Sequence, residues 1–210
     1  MPARNVINTI LLIMTTTLIV ATRNSHKVKE IEAMLPAGYE VRSLADYPTA
    51  PEVEETGVTF AENAALKACG ISAVLPGLVL ADDSGLCVDA LGGAPGVMSA
   101  RYAGEHGNDA ANNERLLREL AGCGTARTAR FVCAMCVAEG GRVLAEFEGK
   151  VEGTIAEVPA GAQGFGYDPL FVPMGYDCTM AQLAPECKNE ISHRADALRQ
   201  FLAWVEQGRS

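Results

Sequence analysis

Two adjacent aspartates, followed by serine and glycine, are the residues of this 210-residue chain whose types best suit chemistry. Asp82, Asp83, Ser84 and Gly85 follow the apolar run 77–81, which predicts a buried strand that ends at the carboxylates. Neighbouring carboxylates repel each other unless a proton or a cation lies between them. A hard divalent ion such as Mg²⁺ takes such oxygen ligands together with waters and phosphates. A plain polar turn favours the same residue types, so the motif alone leaves both interpretations open.

A second polar segment lies where the first predicted strand, residues 18–21, passes into a helix. Its residues are Thr22, Arg23, Asn24, Ser25, His26 and Lys27. Free backbone N–H groups and the helix dipole make such a junction a favourable place for a phosphate group. The alternative is that Asn24 or Ser25 only caps the helix and that Lys27 is solvated.

A lysine in the next predicted helix is a further candidate cation. Thr59 and Glu62 form a capping box, which predicts a helix over about 60–74. Lys67 lies four residues after Asn63, so the two side chains share one face of that helix. Periodicity does not decide whether Lys67 is exposed or directed into a cleft.

A glycine-rich loop in the last third of the chain has the composition to recognise a flat ring. It carries Phe165, Gly166, Tyr167 and Asp168, so that a ring can stack on a ligand while a carboxylate bonds the ligand's edge. Aromatic side chains in loops fill a core at least as often, and both interpretations stay open.

Three more basic or polar residues follow this loop. Lys188 comes first, and Ser192 is a candidate N-cap that places His193 and Arg194 in the first turn of the last helix. Positive charge at that end of a helix does not favour its stability. Such a local conflict is expected where side chains serve a ligand.

Composition restricts the class of protein. With 49% apolar and 20% charged residues, the chain is expected to form one globular domain, or one domain with two lobes. A formal net charge of −9 argues against a broad nucleic-acid-binding face, yet a few cations can still gather in one cleft. The seven cysteines are scattered and odd in number, which indicates reduced thiols in a cytosolic protein.

The first 17 residues stand apart from the rest of the chain. The apolar run 6–14 weakly resembles a secretory signal, but no cleavage site is evident. It is also too short and interrupted for a membrane span. We therefore expect residues 1–17 to be a poorly ordered extension and residues 18–208 to form a single two-lobed domain.

The segments 128–138 and 142–157 predict a long β-hairpin, whose second arm contains Gly149 and Gly153 as candidate bulges or bends. Cys133 and Cys136 are three residues apart on the first arm and are therefore expected to face opposite sides. That spacing disfavours a shared metal or a redox pair. The residues alone indicate a metal-dependent enzyme that acts on a phosphate compound.

Taken together, these motifs closely resemble the non-canonical purine nucleoside triphosphate pyrophosphatases, known as the Ham1 or inosine triphosphate pyrophosphatase family. The resemblance runs from about Leu18 to the end of the chain, and it departs from the family pattern at Gln163, at Cys187 and in the N-terminal extension. The matching segments, in family order, are 21–27, 54–64, 81–86, 92–96, 99–102, 164–169 and 191–194.

The resemblance implies an elongated α/β fold with a central mixed β-sheet, flanking helices and a cleft between two lobes. It also implies a cytoplasmic homodimer whose partner is a small nucleoside triphosphate, with no nucleic acid and no membrane. In the implied site, Glu54 and Asp83 hold Mg²⁺, and Asp83 accepts a proton. Carried over position by position, the triphosphate contacts are Thr22, Arg23, Asn24, Ser25, His26, Lys27 and Lys67, and Ser84 contacts the substrate. The base contacts are Phe165, Gly166, Tyr167, Asp168, Lys188, His193 and Arg194.

The implied reaction is hydrolysis between the α and β phosphates, which releases a nucleoside monophosphate and pyrophosphate. Either Asp83 or Asp82 can be the base, since a metal-bound carboxylate keeps little basicity. His193 or Arg194 can donate to the keto oxygen at purine position 6, a donation that adenine does not accept. Two alternatives stay open: a Maf-like pyrophosphatase with another base preference, and a nucleotide-binding module without turnover.

Overall fold

The computed structural model describes residues 15–208. Most of the predicted extension therefore lies outside the described residues, and the first strand begins at Thr16, two residues before its predicted start. Within the described part of the chain, no helix is long and apolar enough to cross a membrane.

Strands and helices alternate along the first half of the chain, and a long hairpin follows. The strands are β1 (Thr16–Val20), β2 (Tyr39–Ser43), β3 (Leu78–Val88), β4 (Thr128–Glu139), β5 (Arg142–Ile155) and β6 (Phe171–Pro173). The α-helices are α1 (Ser25–Met34), α2 (Phe60–Ser72), α3 (Asp109–Leu120), α4 (Pro185–Ile191) and α5 (His193–Glu206), and short 3₁₀ turns occupy Asp89–Leu91, Gly96–Arg101 and Met180–Gln182. The predicted capping box at Thr59 and Glu62 is present and opens α2.

The strands form one mixed sheet in the order β2-β1-β3-β4-β5-β6. Strand β1 is parallel to both β2 and β3, and the remaining pairs are antiparallel. This sheet, with helices on its faces, confirms the predicted α/β class.

The two aspartates lie in the middle of a strand, and the prediction that they end it was wrong. Strand β3 continues to Val88, and Asp82 and Asp83 pair in register with Met135 and Ala134 of β4. Because successive side chains of a strand point to opposite faces, the two carboxylates are directed to different sides of the sheet.

Buried side chains on the two faces of β1, β3 and β4 form separate clusters. Cys136 packs with Ala64, Ala68 and Ile71 of α2 on one face. Cys133 packs with Leu198 on the other. The two cysteines therefore face opposite sides, as predicted. A further cluster joins α3 to the far ends of the long strands and to the loop that precedes β6.

Gly149 and Gly153 serve close packing, whereas the register shift of the hairpin falls between Val137 and Ala138. A Cβ atom at Gly149 would lie 2.2 Å from the carbonyl oxygen of His193, so only glycine lets the start of α5 approach β5 this closely. The placement of His193 thus depends on a residue without a side chain.

Helix α1 is tied to α4 and α5 by one acidic side chain. Glu30 of α1 forms an ion pair through Oε1 with Lys188 Nζ at 2.8 Å, and its Oε2 pairs with the guanidinium of Arg194. Burial alone would raise the pKa of Glu30, but Arg194 and Lys188 hold it below its ordinary value of 4.5. The ion pairs therefore connect the start of the chain to its last two helices.

We expect Glu30→Gln to lower the free energy of unfolding by about 3 kcal/mol at neutral pH, because the two cations would lose a buried partner. The folded-state pKa of Glu30 is depressed. Its stabilisation is therefore present above the unfolded-state pKa and is lost as the pH falls through the folded-state pKa. Denaturant titrations at several pH values measure this difference, and Glu32→Gln on the exposed face of α1 is the control. A Glu30→Gln variant as stable as the parent protein at neutral pH would contradict the expectation.

Candidate active site

A cavity of about 430 Å³ lies where β1, α2, β3, α4 and α5 converge. Most of the predicted site residues line it, although they come from distant parts of the chain. Those that do are Thr22, Arg23, Asn24, Lys27, Lys67, Asp83, Ser84, Phe165, Gly166, Tyr167, Asp168, Lys188, His193 and Arg194. The predicted residues outside its lining are Ser25, His26, Glu54 and Asp82.

Asp83 and Lys67 form the acidic end of the cavity. Lys67 Nζ lies 3.2 Å from Asp83 Oδ1 and 2.8 Å from Glu55 Oε1, and it also donates to the Asp82 carbonyl oxygen at 2.8 Å. Asn63 donates its amide to the other Asp83 oxygen at 3.3 Å. Lys67 is therefore directed into the cleft, which resolves the alternative that it is an exposed lysine.

The cation does not fully compensate the burial of Asp83. Burial raises the pKa of Asp83, and although Lys67 and Lys27 lower it, it stays above its ordinary value. Burial alone would lower the pKa of Lys67, but Asp83 and Glu55 raise it above the ordinary lysine value. The pair thus consists of a permanent ammonium and a carboxylate that takes a proton more readily than usual.

Glu55 occupies the place that was predicted for Glu54. Glu55 lines the cavity and pairs with Lys67, whereas Glu54 is exposed and does not line the cavity. The two glutamates stand next to each other in an irregular loop, where no periodicity indicates which one faces inwards. The structure therefore places Glu55, and not Glu54, at the cavity, and a metal-binding role for Glu55 belongs to the proposal below.

Asp82 lies on the opposite side of β3 from Asp83. Its carboxylate pairs with Lys27 and with Arg194, whose Nε lies 3.0 Å from Oδ2, and its side chain is only 1% exposed. Burial alone would raise the pKa of Asp82, but Arg194 and Lys27 hold it well below its ordinary value. A permanently ionised carboxylate outside the cavity lining is unsuited to take a proton from water, so this arrangement disfavours Asp82 as the general base.

The segment between β1 and α1 combines capping with direct contacts. Asn24 caps α1 and accepts hydrogen bonds from the backbone of His26 at 2.9 Å and of Lys27 at 3.4 Å. Arg23 donates to the carbonyl oxygens of Leu44 and Ala50, so its guanidinium ties down the neighbouring loop. Lys27 is only 15% exposed and is therefore not the solvated lysine of the alternative interpretation.

The other end of the cavity carries rings and cations. The Phe165 ring stacks on the His26 ring at 5.3 Å, and Lys188 Nζ lies 5.0 Å from the Phe165 centroid. Lys188 Nζ also bonds Asp168, whose second hydrogen-bond donor is the backbone N–H of Phe165 at 2.9 Å. Burial raises the pKa of Asp168, against the lowering by Lys188.

Tyr167 is a core residue as well as a wall of the cavity. Its ring packs in the cluster around α3, and its hydroxyl donates to the Ser99 carbonyl oxygen at 2.9 Å. At 3% exposure it cannot form a free stacking platform. Of the two aromatic residues of the loop, Phe165 is the more exposed, although His26 already stacks on its ring.

His193 offers a buried hydrogen-bonding atom without a partner. Its ring stacks on Phe131 at 4.9 Å, and its Nδ1 has no hydrogen-bond partner among the described residues. Burial lowers the pKa of His193 far below its ordinary value, and the neighbouring Arg194 lowers it further. The imidazole is therefore neutral and presents one donor and one acceptor.

Sequence reasoning missed several residues that shape this site. Glu30 and Asn63 lie in ordinary helical stretches, and nothing in the spacing of Glu30 sets it apart. Arg101, which lines the cavity, falls in a segment that carried only the family resemblance. A useful signal exists for Asn63 alone, which is one helical turn from Lys67.

The hard oxygen ligands of the acidic end suit a divalent cation whose remaining ligands come from elsewhere. Across residues 15–208, no group of three or more His, Cys, Asp or Glu side chains is arranged to hold a metal ion. The carboxylates of Asp83 and Glu55 are nevertheless bridged by one ammonium group. Two carboxylates with phosphate and water oxygens are a usual ligand set for Mg²⁺.

Comparison with known proteins gives consistent matches along the chain. The model of the Ham1 family matches residues 18–204. A dITP/XTP pyrophosphatase of Bacillus licheniformis is 53% identical over 191 residues, which cover 90% of this chain and 97% of the relative. A dITP/XTP pyrophosphatase of Geobacillus kaustophilus is 58% identical over 183 residues, covering 86% of this chain and 90% of the relative.

Solved structures agree with these sequence relatives. The Staphylococcus aureus Ham1 protein superimposes with a TM-score of 0.82 at 42% identity, covering 92% of this chain and 100% of the other. A HAM1 protein from Coxiella burnetii gives a TM-score of 0.83 at 36% identity with the same coverage. The chain therefore belongs to the Ham1 family.

Proposed function

We propose that this protein hydrolyses non-canonical purine nucleoside triphosphates, such as dITP, ITP and XTP, to the nucleoside monophosphate and pyrophosphate. The observation that carries the proposal is one cavity with two chemically different ends: Asp83 with Lys67 at one, and Phe165 with Lys188 and His193 at the other. The first suits a phosphate chain and the second a flat polar ring. The relatives named dITP/XTP pyrophosphatase agree with a substrate that joins a phosphate chain to a flat ring.

The phosphate chain would lie between the start of α1 and Lys67. Lys27 and Lys67 stabilise negative charge on the departing pyrophosphate, because preorganised cations in a site with little water act strongly on developing charge. Ser84 lies beside them and accepts a hydrogen bond from Arg194 at 2.9 Å, which orients its hydroxyl.

Asp83 is the residue we assign as the proton acceptor. Water attacks the α-phosphorus and forms a P–O bond, its proton passes to Asp83, and the bond from the α-phosphorus to the bridging oxygen breaks. A carboxylate with a raised pKa suits this step better than an ordinary one. Asp83 and Glu55 would also hold Mg²⁺, which when bound neutralises phosphate charge. Because a metal-bound carboxylate keeps little basicity, Asp83 would accept the proton on the carboxylate oxygen that does not bind the ion.

Base selectivity would come from His193 and its neighbours. The imidazole of His193, which lines the cavity, and the donors around it can bond the keto edge of hypoxanthine or xanthine, whereas adenine presents an amino group there. A site that leaves buried donors unpaired with the wrong base rejects that base strongly.

The homodimer and the cytoplasmic location implied by the family resemblance also belong to this proposal.

The test of the function is pyrophosphate release from ITP, XTP, dITP, GTP, ATP and pyrimidine triphosphates, with and without Mg²⁺. We expect release from ITP and XTP that requires the divalent ion and exceeds release from ATP by orders of magnitude. Preference for a pyrimidine would support the Maf-like alternative. Nucleotide binding without pyrophosphate release would support the module without turnover.

We expect Asp83→Asn to lower kcat for ITP by about 100- to 10,000-fold, the usual contribution of a general base. The amide keeps the shape of the side chain but cannot accept the proton. Asp177→Asn is the control, because it removes an exposed carboxylate outside the cavity lining. Steady-state kinetics with thermal melting separates lost chemistry from lost folding, and full activity of a folded Asp83→Asn variant would disprove the assignment.

We expect His193→Ala to reduce the ratio of kcat/KM for ITP over ATP by about tenfold or more, because a buried partner of the base is lost. In the parent protein this ratio should stay constant between about pH 6 and pH 8. The pKa of His193 lies far below that window, so the imidazole does not titrate within it. A ratio that follows a protonation near pH 6.5 would show that His193 is not the neutral contact.

A further inference from the structure

One face of helix α3 holds the backbone of the loop that carries Phe165 and Asp168. The N–H of Gly166 donates to Asp109 Oδ2 at 2.6 Å, and the carbonyl oxygen of Gly166 accepts from Asn113 Nδ2 at 2.8 Å. The same amide of Asn113 donates to the Asp109 carbonyl oxygen at 2.9 Å. Both polar groups of one loop residue are therefore bonded by two side chains one helical turn apart.

Gly166 is one of the glycines of this loop with a left-handed backbone. Its φ of +62° lies in the left-handed region, and glycine has more backbone freedom than any other residue. Its neighbours have their own anchors, since Tyr167 bonds Ser99 and Phe165 bonds Asp168. Without the two bonds from α3, the peptide groups of Gly166 could turn away and carry the Phe165 ring with them.

Helix α3 is itself firmly placed. Leu116 and Leu120 are buried in the same cluster as Tyr167 and Phe171, so the helix and the loop share one core. Asn108 caps the helix by accepting the N–H of Ala111 at 3.1 Å. The side chains that bond Gly166 therefore start from a fixed backbone.

Both residues of the hydrogen bond from the Gly166 N–H to Asp109 also line the cavity. Asp109 and Gly166 belong to its wall, as do His106 and Gly107 just before α3. The start of α3 thus lies between the loop 101–108 and the ring-binding end of the site. A shift of this helix end would move both walls of the cavity.

We propose that Asp109 and Asn113 are positioning residues that determine base selectivity, by fixing Gly166 so that Phe165 and Asp168 keep their places against the purine. This inference rests on the proposed function, which it deepens. It does not assign to either side chain any contact with the phosphate chain. The alternative is that the two residues stabilise only the fold.

The experiment compares two ligands that occupy different ends of the cavity. Inosine monophosphate probes the base end, and inorganic tripolyphosphate probes the phosphate end. Their dissociation constants are measured by calorimetry for the parent protein and for the Asn113→Ala and Asp109→Ala variants, together with thermal melting and the ITP to ATP ratio of kcat/KM.

We expect each variant to weaken the binding of inosine monophosphate about three- to tenfold, the effect of one lost hydrogen bond. The ITP to ATP ratio of kcat/KM should fall by a similar factor. Tripolyphosphate affinity should change less than about twofold. Asp109→Asn keeps an oxygen that can accept the Gly166 N–H, so it should restore most of the affinity lost in Asp109→Ala. Glu114→Gln on the exposed side of α3 is the matched control and should change neither ligand.

Equal weakening of both ligands, or no change in either, would overturn the inference, and so would an Asp109→Asn variant as impaired as Asp109→Ala. If Asn113→Ala does not fold, the two Asp109 variants provide the same comparison. A parent protein that binds inosine monophosphate but releases no pyrophosphate from ITP would reject the proposed function, and the two dissociation constants would still decide whether Asp109 and Asn113 position the base end. A parent protein that releases pyrophosphate from ITP but does not bind inosine monophosphate would overturn this inference and leave the proposed function standing.

Discussion

The buried carboxylate of Asp82 is the charge on which the site depends. It pairs with Lys27 from the start of α1 and with Arg194 from the start of α5, although all three side chains are largely withdrawn from water. An isolated buried carboxylate would be strongly unfavourable, so its two cations must be in place for the sheet to keep it. Asp82 carries one negative charge against the two cations. Glu30 supplies a second negative charge, because it pairs with Arg194 and also with Lys188. One network of alternating charges therefore fixes three helices against a single strand.

Strand alternation explains why neighbouring aspartates have different roles. A side-chain period of two sends Asp82 into the ionic network and Asp83 into the cavity. The first is surrounded by cations and stays ionised, whereas the second is buried beside a lysine that only partly compensates it. The same β3 backbone therefore supplies a structural anion and a protonatable group at consecutive positions. Two carboxylates on one face would instead compete for the same cations.

Local signals predicted the parts of the fold that local interactions determine. The capping box at Thr59, the hairpin turn after β4 and the N-cap Ser192 all appear where the sequence indicated them. The sequence could not separate Glu54 from Glu55, because a loop without periodicity gives no inward direction. Asp82 and Asp83 are predicted to end their strand because they and the residues after them favour turns. That prediction failed because such residues are also tolerated inside a strand that the rest of the sheet holds.

Substrate binding would change the balance at the acidic end in a definite direction. Lys67 now divides its charge between Glu55 and Asp83, and this attraction lowers the pKa of Asp83 against the effect of burial. A phosphate group that pairs with Lys67 would screen that attraction, and its own negative charge would raise the pKa of Asp83 further. Through Lys67 and through its own charge, the triphosphate would thus make Asp83 a stronger base, opposing the lowering of the pKa that a divalent ion bound to the same carboxylate would cause. A lysine shared between an acid and the substrate can couple binding to proton transfer without any movement of the backbone.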